Sequence, residues 1–77
     1  MKKKSTIKAA EVSAWVSGAA MQVVARRMQE AGGINVGGCT WKFRNDTSDM
    51  HFRKRMDKLI SELREKYPHG QISCAFD

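Results

Sequence analysis

Between Thr6 and Ala31 the chain runs for 26 residues without its single proline, and most of that run is apolar or small. Successive residues of a helix sit about 100° apart around its axis. On that spacing Val12, Val16, Ala19 and Val23 form one narrow stripe, flanked by Ala9, Trp15 and Ala20. Ala10, Ala14, Ser17, Met21, Ala25 and Met28 form a second stripe on the opposite side, and Val24 joins the two. Between the stripes a polar strip holds Glu11, Gln22, Arg26 and Gln29. The spacing therefore predicts one long helix over Thr6–Ala31.

A helix that is apolar on two sides must be covered on two sides. The rest of this chain suffices for one. The other side predicts an interface through Ala10, Ala14, Ser17, Met21, Val24 and Met28, with a second copy or another protein as the cover. Ala10, Ala14 and Gly18 let another backbone come close, and the methionines adapt to what they meet. Glycine inside a helix costs about 1 kcal/mol relative to alanine, so close packing gives Gly18 a motive.

Seventy-seven residues make one domain, read as a flexible basic tail at 1–5 and a folded unit at 6–77. A core of this size supplies only about 3–5 kcal/mol of net stability. Small domains add disulfides, a metal or a second subunit. The two cysteines are too few for a disulfide framework and suit a reducing cytoplasm. Dimerisation is the remaining staple.

The net charge of +6 suggests nucleic acid until it is located. Lys2, Lys3, Lys4 and Lys8 supply four of those charges within the first eight residues, and the remainder is nearly balanced. Such a tail raises affinity for polyanions, though it is also a common solubilising end. Lysines ahead of an apolar stretch imitate an export signal. Lys8, Glu11, Ser13, Ser17 and Gln22 interrupt that stretch, so the expectation is a cytoplasmic protein with no membrane span.

Gly32-Gly33 suits the left-handed end of the helix. Ile34–Val36 is a short extended piece, and Gly37-Gly38 allows a turn. Cys39, Trp41 and Phe43 then alternate with Thr40, Lys42 and Arg44, which is a strand signal. Asn45 to Asp49 is rich in helix-capping residues. Phe52, Met56, Leu59, Ile60, Leu63 and Tyr67 form one clean stripe over a second helix at about Ser48–Tyr67, with i, i+4 charge pairs on its outer side. Pro68 stops it, and Ile72, Cys74 and Phe76 alternate along a last strand. The crossover from Cys39 to Asp77 places its two strands parallel. The fold class is α+β: a small two-layer domain of order α-β-α-β, a long N-terminal helix and a second amphipathic helix packed on a small sheet, with room for a short extra strand.

Candidate chemistry is thin. Cys39, His51, His69 and Cys74 reach the ligand count of a zinc site, but none is paired at knuckle spacing and both cysteines fall in phase with core residues. No metal or cofactor is expected. Nothing activates a cysteine nucleophile. The Gly32–Gly38 segment lacks the phosphate-loop pattern and follows a helix where that loop follows a strand. No small-molecule substrate is evident.

The expectation is therefore a small regulatory or inhibitory protein of the accessory kind found in phages and mobile elements. It acts by protein–protein binding as a homodimer and has no enzymatic activity. The runner-up is a nucleic-acid-binding protein that presents Lys2, Lys3, Lys4, Lys42 and Arg44 to phosphates.

Overall fold

A computed structural model describes residues 6–77. The lysines at 2–4 and the expected tail at 1–5 lie outside the described residues. The elements are β1 (Ala9–Trp15), α1 (Ala20–Glu30), β2 (Ile34–Gly37), β3 (Thr40–Arg44), α2 (Asp49–Lys66) and β4 (Gln71–Phe76). The strands form one antiparallel sheet in the order β2-β3-β1-β4.

The α+β class stands, with two helices and a four-stranded sheet. The long N-terminal helix does not. The run from Thr6 divides into a strand and an 11-residue helix, and the order becomes β-α-β-β-α-β. The cause lies in the side-chain pattern. Ala10, Val12 and Ala14 all point to the core, followed by Val16, while Glu11, Ser13 and Trp15 point away. Residues two apart share a face in a strand but lie on opposite sides of a helix. Over β1 the two apolar stripes of the supposed helix are thus one face of a strand.

Gly18 ends β1's excursion with φ +71, and a Cβ there would meet nothing within 4 Å. Its role is a left-handed turn, not close helix packing. Helix α1 starts after it without a side-chain cap. At its far end Gly32 (φ +96) donates to the Gln29 carbonyl and Gly33 to the Met28 carbonyl, the paired bonds of a Schellman stop. Helix α2 is begun by Ser48, whose hydroxyl accepts the His51 N–H, with Asp49 in the first turn.

The connectivity is two interleaved split βαβ units. Strands β3 and β4 both run antiparallel to β1, so they are parallel to each other, as the crossover predicts, but β1 lies between them. Strands β1 and β2 are likewise separated by β3. This layout puts both helices on one face. Val24 and Met28 from α1 and Phe52, Met56, Leu59, Ile60 and Leu63 from α2 share one cluster with Val12, Trp41, Phe43 and Ile72 of the sheet. Two further contacts tie the layers. Phe52 meets the Phe76 ring edge-on at 6.0 Å, and Arg53 lies over that ring at 4.8 Å.

Candidate binding face

With both helices on one side, no element among the described residues covers the other side of the sheet. Its composition follows from strand alternation. Strand β1 contributes Glu11, Ser13 and Trp15, β3 contributes Thr40, Lys42 and Arg44, and β4 contributes Gln71, Ser73 and Ala75. Ile34 pairs with Lys42 and therefore shares its face. Register aligns these residues in rows across the strands. One row reads Ile34, Lys42, Glu11, Ala75, and the next reads Thr40, Ser13, Ser73.

Three of the large apolar side chains left in solvent belong to this side: Trp15 at 47%, Ile34 at 61% and Val36 at 53% exposure. Ile34 and Val36 rim a shallow depression with Lys8, Lys42 and Arg44, and Ala9 forms its floor. A second depression on the β4 side is lined by Glu11, Lys42, Ala75, Phe76 and Asp77. Charge on the face is thus divided, basic toward β2 and acidic toward β4.

The polar rows of the two sheet edges differ as well. Asp77 donates to the Ala9 carbonyl across the β1–β4 ladder. By the alternation of antiparallel bonding, Ile72 turns its own carbonyl outward. Arg64 takes that carbonyl with both Nε (3.1 Å) and Nη2 (2.9 Å). The β4 edge is therefore partly closed by a side chain, as edge strands require. Strand β2 forms the other edge, and its register shifts between Asn35 and Gly37.

At the start of β1, Asn45 donates to the Ile7 carbonyl (2.7 Å) and to Asp49 Oδ1 (3.0 Å), and Asp49 in turn accepts the Ile7 N–H. This clasp fixes Lys8 beside the depression.

The residues expected to form an interface are scattered by the corrected fold. Ala10 and Ala14 are buried under the helices, and Val24 and Met28 are buried against the sheet. Ser17 is exposed in the turn, and half-buried Met21 places its Sδ 3.3 Å from the Val16 N–H. These six share no surface, because the helix that aligned them is a strand, a turn and a shorter helix. Lys42 and Arg44 do lie together, exposed on the open face. Trp41 and Phe43 face the core. No local pattern marks Ile34 and Val36 as residues of this face, whereas the alternation Ala10/Val12/Ala14 against Glu11/Ser13/Trp15 carries the signal for Trp15.

The cysteine and histidine candidates disperse. Cys39 precedes β3 and Cys74 lies on β4, with β1 between them. Among the described residues no group of three His, Cys, Asp or Glu side chains converges on a metal-sized site. Burial, and then the Asp57 carboxylate, push the Cys74 thiol above its usual pKa, with Arg64 opposing. Such a thiol is held protonated and is a poor nucleophile. Among the described residues no helix is long and apolar enough to cross a membrane. Comparison of the chain with protein-family models, with curated proteins and with solved structures finds no match.

Proposed function

We propose that this protein is a small regulator that acts by binding protein, as a homodimer, and carries out no reaction of its own. The observation that supports this reading is the uncovered sheet face, where Trp15, Ile34 and Val36 remain in water beside small and charged neighbours. Exposed apolar side chains rimmed by polar ones favour a protein contact. A photo-reactive residue in place of Val36 tests it in cells. Discrete protein adducts are expected there and none from the same residue in place of Lys58 on the outer side of α2. Adducts to nucleic acid alone at position 36 would refute the reading.

A second reading is favoured by one observation. Lys8, Lys42 and Arg44 line a single depression, and clustered cations attract phosphates. Trp15 on the same face offers a ring for stacking, although Glu11 and Asp77 repel a polyanion. Binding to single- or double-stranded nucleic acid that survives about 150 mM salt and falls in the Lys42→Glu/Arg44→Glu variant would favour this alternative.

A further inference from the structure

We infer that the occupant of the open sheet face is a second copy of this chain, stacked face to face about a two-fold axis that runs parallel to the strands between β1 and β3. The inference rests on the protein-binding reading above and names the partner and the geometry. A contact of this kind is isologous, so every residue pair across it occurs twice. The axis sends β3 of one copy over β1 of the other, and β2 over β4.

The register rows then become complementary. In the first row Lys42 faces Glu11 of the second copy, and Ile34 faces its Ala75. In the next row Thr40 faces Ser13 of the second copy. Charge meets opposite charge, hydroxyl meets hydroxyl, and a bulky aliphatic chain meets a methyl. The same operation lays the basic depression toward β2 against the acidic one toward β4. Trp15, near the end of β1, falls over the Gly37-Gly38 hairpin, where there are no side chains to obstruct it.

Within one chain Lys42 and Glu11 are direct cross-strand neighbours. The ion pairs among the described residues are nevertheless Arg27–Glu62 and Arg55–Asp46. Both charges are therefore available to a second copy. Other axes do not give this match. An axis across the strands places each strand over itself, so Lys42 meets β3 of the second copy and never its Glu11. An axis normal to the sheet joins edges, and Arg64 closes part of the β4 edge while β2 offers four residues and a register shift.

The size of the face sets the strength. Four strands about 4.8 Å apart and five residues of about 3.3 Å each give a plan area of roughly 300 Å² per copy. That is well below a standard interface, so the dimer belongs to the weak class, with a dissociation constant in roughly the micromolar range.

The test is sedimentation velocity on the whole chain over about 1 μM to 1 mM. The wild type is expected to pass from monomer to dimer. Glu11→Lys and Lys42→Glu, each placing like charges across the axis twice, are expected to weaken association at least about tenfold. The Glu11→Lys/Lys42→Glu double variant restores it. Circular dichroism checks that each variant is folded, and Ile34→Asp provides a third disruption away from the charge pair. A wild type that stays monomeric throughout, single variants that dimerise as the wild type does, or a double variant that fails to recover would overturn the inference. If the wild type is monomeric while position 36 still cross-links to protein in cells, self-stacking and the homodimer are refuted and protein binding stands. If it is monomeric and cross-links only to nucleic acid, both readings fall.

Discussion

The two faces of the sheet are built from the same strands, one residue out of step, yet they differ in nearly everything that matters energetically. On the covered side Val12, Trp41, Phe43 and Ile72 are sealed beneath two helices. On the open side their immediate neighbours Glu11, Ser13, Lys42 and Arg44 stand in water. The contrast teaches that stability and recognition in this small protein are carried by alternate residues of the same segments. Each can therefore be altered without the other.

The largest effect that separates the faces is the pair Phe43→Ala and Arg44→Ala. Phe43 is fully buried, and its truncation should cost about 3–5 kcal/mol. Arg44→Ala should stay within about 0.5 kcal/mol. Urea unfolding measures both, and equal losses would break the comparison. Next comes Gly33→Ala. A Cβ at that position lies 2.6 Å from the Phe43 ring, so the substitution should destabilise by about 1–3 kcal/mol through overpacking. A neutral result would mean that the covered side is looser than its geometry implies.

Arg64→Met comes third. It should lower stability by about 1 kcal/mol, because the Ile72 carbonyl loses two charged donors. Light scattering should also rise on storage as the β4 edge opens. If neither changes, the edge is not protected in the way described.

The smallest effect belongs to Cys74, on the covered side of β4. Its folded pKa is raised, so its contribution to stability is fully present below the ordinary thiol value of 9.0 and is lost as pH rises through the higher folded value. Chemical unfolding between neutral pH and the alkaline range should show this loss in the wild type, and Cys74→Ala should lack that component. Iodoacetamide should also label Cys74 more slowly in the folded chain than in urea.

How legible this architecture was in the sequence depended on which offsets each segment contained. In α2, Phe52, Met56, Leu59, Ile60 and Leu63 combine spacings of three and four, which only a helix places together, and all five are buried. Strand β3 was equally clear, because Trp41 and Phe43 are large β-formers two apart. Strand β1 was ambiguous. The offset of four that links Ala10 to Ala14 and Val12 to Val16 fits both periods, and alanine favours helices. The deciding offset is two, from Ala10 to Val12 to Ala14. An apparent helix with apolar stripes on opposite sides is what such a strand looks like when read with the wrong period. At the candidate face, Lys42 and Arg44 could be placed from β3 alone. Their meeting with Glu11 could not, since that needs β1 inserted between two strands that local pattern leaves adjacent.

That insertion also governs how the molecule comes into being. The segment at residues 9–15 is made before both of its partners, residues 40–44 on one flank and 71–76 on the other. Until the last of these leaves the ribosome, the middle of the sheet has an unmet row of backbone amides. Pairing at such long range is slow to nucleate. No fragment cut between the two helices retains both partners of β1.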